Sequence, residues 1–80
     1  MMSLQFTHDG RQLVVQMQPT VGAFRFAVWE GGRNVSQNDT IIYQDAALYA
    51  DSHGQMERLF NATMQRVRDE VISGRVALRP

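Results

Sequence analysis

Residues 55–74 read QMERLFNATMQRVRDEVISG, and their apolar spacing decides the fold. Met56, Leu59, Phe60, Thr63, Met64, Val67 and Val71 fall at i, i+3, i+4, i+7, i+8, i+11 and i+15. That periodicity is one stripe on an α-helix. Arg58, Asn61, Gln65, Arg68 and Asp69 occupy the other side. Gly74 follows the last periodic residue, where a left-handed helix stop belongs. Arg75 suits the negative helix end. The pattern predicts one long helix over about residues 52–73, and a buried stripe of that length requires another apolar layer to lie on.

The first half supplies that layer. Leu4 and Phe6 alternate with Ser3, Gln5 and Thr7, and Leu13, Val15 and Met17 alternate with Gln12, Val14, Gln16 and Gln18. Between them stands Asp9-Gly10, the strongest short hairpin signal because both residues tolerate positive φ. Residues 3–7 and 11–18 are expected as strands, with Pro19 breaking the second. Phe24, Phe26 and Val28 alternate with Ala23, Arg25, Ala27 and Trp29 in a third strand over residues 22–30, closed by Gly31-Gly32. Residues 36–39 carry loop chemistry, and Thr40-Ile41-Ile42-Tyr43 reads as a short β-branched strand. The tail from Val76 is expected to be extended or frayed.

Strands first and a helix last predict an α+β domain. Its antiparallel sheet of three to four strands carries the helix on one face. The expected core takes Leu4, Phe6, Leu13, Val15, Met17, Phe24, Phe26 and Val28 from the sheet. From the helix it takes Met56, Leu59, Phe60, Met64, Val67 and Val71. Eighty residues allow one small domain, which buries only about 60% of its unfolded surface.

Composition narrows the chemistry. Eight basic and eight acidic residues cancel, so the basic excess typical of phosphate binding is missing. All the basic residues are arginine, which codon usage explains more simply than function. The chain has no cysteine, which excludes disulfides, thiolate catalysis and cysteine-based zinc sites. Residues 1–6, MMSLQF, show no basic region followed by an apolar stretch, and no apolar run approaches the roughly 20 residues of a membrane span. A cytoplasmic location is expected.

Asp51-Ser52-His53-Gly54 contains the letters of a hydrolytic triad, but a triad works by spatial convergence and adjacent helical side chains diverge. Ser52-x-x-Gln55 instead matches a capping box, with Asp51 favourable at the positive helix end. Asp45–Ala50 is also helix-tolerant, as a separate short turn or as the helix's first turns, so the helix is expected to start at Ser52, or near Asp45 with Gly54 carried inside at a cost of about 1 kcal/mol. Ser52→Ala costs about 1 kcal/mol in the first case and almost nothing in the second. His8 and His53 share no metal-ligand spacing, Asp69-Glu70 diverge on a helix, and Gly31-Gly32 lacks the helix of a phosphate loop. No catalytic residue, cofactor, metal, membrane contact or small-molecule substrate is expected.

What remains is the sheet face turned away from the helix, carrying Ala23, Arg25, Ala27 and Trp29, with Val14 nearby. Trp and Arg are the side chains most enriched at binding hot spots. The expected function is a non-enzymatic interaction module that binds a protein partner or a second copy through Arg25 and Trp29. The alternative is an RNA or single-stranded-DNA binder using Arg11, Arg25, Arg33 and Trp29. Sheet hairpins followed by a helix are similar in order to the later part of a double-stranded-RNA-binding domain. The helix start here, DSHGQMER, lacks the lysines such domains use, and no family is assigned.

Overall fold

The computed structural model describes residues 2–80, so Met1 of the N-terminal stretch lies outside the described residues. The architecture is α+β. Strands β1 (Ser3–His8), β2 (Arg11–Thr20) and β3 (Ala23–Glu30) form an antiparallel meander. Two short strands, β4 (Arg33–Asn34) and β5 (Thr40–Tyr43), both pair with the far side of β3. Helices α1 (Gln44–Ser52) and α2 (Met56–Ile72) follow. No helix among the described residues is long and apolar enough to cross a membrane.

The turns form as the sequence dictates. Asp9 and Gly10 have φ of 52° and 74°, and Gly31 and Gly32 have 56° and 80°, the positive pair that matches strand twist in a two-residue hairpin. Cross-strand register then sorts the side chains. Leu4 faces Val15, Phe6 faces Leu13, Val15 faces Val28 and Met17 faces Phe26, so one sheet face is continuously apolar. Helix α2 covers it with Phe60, Met64, Val67 and Val71, all buried. The Phe60 ring packs 4.9 Å from Phe24 and 5.9 Å from Phe26, both tilted. Leu4, Phe6, Met17, Phe24, Met56 and Leu59 pack against this core while remaining partly exposed.

Pro19 does not break β2; it pairs with Phe24, and the strand continues to Thr20. The reason is hydrogen-bond polarity. Met17 N–H donates to Met2 C=O at 3.2 Å, so odd-numbered residues of β2 direct their backbone polar groups toward β1. Position 19 lies past the end of β1, where the missing N–H removes no ladder bond.

The helical half differs from the expected single helix. Helix α1 occupies residues 44–52, and Asp51-Ser52-His53-Gly54 ends it instead of opening α2. Gly54 sits at φ 67°. Its N–H donates to Asp51 C=O at 2.9 Å, and Gln55 N–H donates to Ala50 C=O at 2.6 Å. These two bonds make a Schellman stop. Ser52 Oγ donates to Tyr49 C=O at 3.0 Å and caps nothing. Helix α2 begins after Gln55 with no side-chain cap. A capping-box letter pattern was present, but an αL glycine two positions beyond Ser52 fixes that backbone as a helix end. Helix α2 ends the same way: Gly74 N–H donates to Val71 C=O at 3.1 Å and Arg75 N–H to Glu70 C=O at 2.9 Å.

Of its two expected states, extended or frayed, the tail takes the extended one. Ser36 and Leu78 form an antiparallel bridge, Arg79 N–H donates to Val35 C=O at 2.6 Å, and Val76 and Leu78 pack against the core. Two substitutions separate a helix end from a helix start at residues 52–54. Ser52→Ala is expected to change unfolding free energy by less than about 0.5 kcal/mol. Gly54→Ala is expected to cost about 1 kcal/mol or more, because an L side chain is strained at this φ. Urea denaturation of the two variants measures both.

Candidate functional site

Among the described residues, no helix covers the second face of the sheet. Strand parity places Ser3, Gln5, Thr7, Gln12, Val14, Gln16 and Gln18 there, with Ala23, Arg25, Ala27 and Trp29 of β3. On β5, Ile42 is buried toward the core while Ile41 and Tyr43 point outward, 40% and 70% exposed. Ile41 lies opposite Arg25, and Tyr43 lies opposite Ala23. The sequence of residues 40–43 reads as a strand, but local pattern alone does not place it on this face. The same alternation that flags Trp29 would have found Ile41 and Tyr43, given the pairing of β5 with β3.

Trp29 is half-buried, between Val14 of β2 and Asn34 of β4. Its indole Nε1 is fully shielded from solvent and has no hydrogen-bond partner. Such a donor costs on the order of 1–3 kcal/mol when it is left unmade. Ala27, between Trp29 and Arg25 along the strand, is only 2% exposed.

The arginines expected at this face are already engaged. Arg11 donates from Nε and Nη2 to both Glu30 carboxylate oxygens, at 2.7–3.2 Å. Its Nη2 also reaches Arg79 C=O at 2.8 Å. Arg33 Nη2 donates to Pro80 C=O at 2.9 Å. Arg25 Nη2 donates to Gln18 Oε1 at 2.8 Å, and Arg25 Nε lies 3.5 Å from Asp39 Oδ2 without a hydrogen bond. Arg25 and Trp29 therefore share the outer face, whereas Arg11 and Arg33 clasp the C-terminal tail at the sheet's end.

His8 Nε2 approaches its neighbour Asp9 Oδ2 at 3.2 Å. The pair lies at a shallow depression bordered by Arg11, Val71, Gly74, Val76, Ala77 and Leu78. This border holds an acid–base pair but no serine or threonine to act as a nucleophile. His53 is far along the chain and packs on Tyr49, with ring centroids 4.4 Å apart. The described residues hold no group of three or more His, Cys, Asp or Glu side chains arranged for a metal ion. A second concavity of about 430 Å³ lies between the helices, lined by Ala46, Tyr49, Ala50, Leu59 and Ala62, with Gln55 and Arg58 also bordering it. Its walls are apolar and carry no carboxylate or imidazole.

The Arg11–Glu30 pair makes the acid limb of stability testable. Hydrogen bonding from Arg11 holds the Glu30 carboxyl below its ordinary range, against the opposing effect of desolvation. The same bond raises Arg11. Unfolded glutamate takes its proton near pH 4.3, and folded Glu30 does so only at lower pH. The pair's contribution is therefore full above the unfolded value and is lost as pH falls through the folded one. Glu30→Gln is expected to lower stability at neutral pH and to flatten its decline between about pH 5 and 2. Denaturation midpoints across that range give both effects.

No known protein family, curated protein or solved structure matches the chain.

Proposed function

We propose that this protein is a cytoplasmic, non-enzymatic interaction module that meets another protein surface, a partner's or a second copy's, through the outer face of its sheet. The observation that carries this reading is the juxtaposition of Arg25, Trp29, Ile41 and Tyr43 on one uncovered face. Trp, Tyr and Arg combine large contact area with a polar handle and dominate interface energetics. A strand surface held by cross-strand pairing is also rigid, so little ordering cost is added on binding.

Nucleic acid is the second reading, resting on Trp29 and Arg25 on this face, with Arg11 and Arg33 at the sheet's end. Arg11 and Arg25 face Glu30 and Asp39, so phosphate contact would have to displace a carboxylate. With formal net charge zero, that chemistry favours the protein reading.

The test is hydroxyl-radical labelling of Trp29 and Tyr43 in the isolated chain and in cell extract. Protection in extract, or in the isolated chain as its concentration rises, is expected, and at Trp29 it should disappear in an Ile41→Ser/Tyr43→Ser variant, whose exposed positions leave the core intact. Equal labelling in both settings, with labelling of the isolated chain unchanged across its concentration range, would refute the reading. Binding to single-stranded RNA at low salt, with affinity falling steeply as salt rises, would move the assignment to nucleic acid.

A further inference from the structure

The two edges of the sheet are built differently. On the β3 side, the chain leaves the ladder over residues 35–39 between β4 and β5. Ser36 Oγ there accepts the Val28 N–H at 3.2 Å in place of a strand carbonyl. The tail covers part of that edge through Arg79 N–H to Val35 C=O and Gln37 N–H to Ala77 C=O. Interruption and covering are the usual defences of an edge strand.

Strand β1 has none of these defences. It runs six residues, SLQFTH, paired with β2 without a bulge. It contains no proline, lysine, arginine or carboxylate. Among the described residues, no strand lies beyond it. Its hydrogen-bond polarity follows from the Met17 N–H to Met2 C=O bond and from the His8–Arg11 pair at the two-residue turn. Antiparallel pairs alternate, so Met2, Leu4, Phe6 and His8 direct their backbone groups to β2. Ser3, Gln5 and Thr7 direct theirs to the open edge. All three are exposed, while Leu4 and Phe6 on the core side stay only partly covered.

We propose that β1 is a self-pairing edge, on which a second copy of this chain adds its own β1 antiparallel across a two-fold axis. The register is dictated by the strand itself. Opposed residues must share a face, which restricts the two-fold to pass through a residue and not between two. Centring on Gln5 sets Gln5 against Gln5 of the second copy and Ser3 against Thr7, so all six outward N–H and C=O groups are satisfied in each chain. Centring on Phe6 leaves both Ser3 groups unpaired. With Gln5 at the centre, Leu4 meets Phe6 of the second copy on the core side, and both seams of half-covered apolar surface close. The outer side pairs only neutral amides and hydroxyls, with no like charges opposed. Two sheets become one, which places both outer faces side by side. This inference does not rest on the Trp29 face: pairing uses the backbone of β1, and either surface can fail without the other.

Sedimentation of the full chain at micromolar concentrations reads the dimer. The wild type is expected to sediment as a reversible dimer. Gln5→Pro is expected to abolish it while keeping the monomer folded by circular dichroism, because position 5 has a solvent-facing N–H and an edge strand tolerates that loss. Cysteine crosslinking reads the register, and the chain has no cysteine of its own. Gln5→Cys places two thiols on Cα atoms about 5.5 Å apart, within disulfide reach, so mild oxidation should give a covalent dimer. Thr7→Cys separates them by more than about 13 Å along the strands and should stay uncrosslinked. A monomeric wild type, a dimer that survives Gln5→Pro, or equal crosslinking of the two cysteine variants overturns the proposal. Trp29→Ala is expected to leave the dimer intact.

Discussion

Everything else in this molecule hangs on the contact of Phe60 with Phe24 and Phe26. A sheet this small has one apolar face, and a single amphipathic helix has one apolar stripe; neither persists alone in water. The three rings join the layers at the β3 side, and Met64, Val67 and Val71 continue the seam toward Leu13, Val15 and Val28. Aromatic rings suit that place because they bury large area with few rotatable bonds and favour tilted arrangements. Committing one face to this core leaves the other uncovered, which is why contact surfaces are the functional question.

Polar chemistry in the chain is mostly spent on shape. Arg11 bridges Glu30 and the backbone of the tail, Arg33 holds Pro80, and Ser36 replaces a strand carbonyl for Val28. These bonds tie the C-terminal residues to the end of the sheet, where the tail adds Val76 and Leu78 to the core. A chain of 80 residues gains from such ties because its core alone leaves a thin margin. Strand parity sets Arg11, in phase with Leu13 and Val15, and Arg33, opposite Glu30, off the outer face, which keeps Arg25 and Trp29 with Ile41 and Tyr43.

Much of the fold was legible in local patterns. Asp9-Gly10 and Gly31-Gly32 dictate their turns because few residues tolerate positive φ, and period-two alternation dictates which side chains share a face. The stripe from Met56 to Val71 dictates α2, and Gly74 its end. The outer face was legible as far as Arg25 and Trp29. Pro19 and Ser52 depart from their local reading for one shared reason, which also selects the extended of the tail's two expected states. Each was judged by local propensity, while its state depends on what lies beside it. Position 19 sits past the end of β1, Gly54 closes the helix that contains Ser52, and Val35 offers the tail a backbone partner.

By itself, the sequence determined the α+β class, the hairpins, the long helix and the uncovered face, because these follow from side-chain period and turn stereochemistry within a few residues. Only the tertiary structure decided the division into two helices, the strand through Pro19 and the docking of the tail. It alone also decided the pairing of the arginines and the difference between a guarded sheet edge and an open one. Those features depend on backbone hydrogen bonds and charges from residues distant in sequence, and periodicity carries no record of which distant groups will meet.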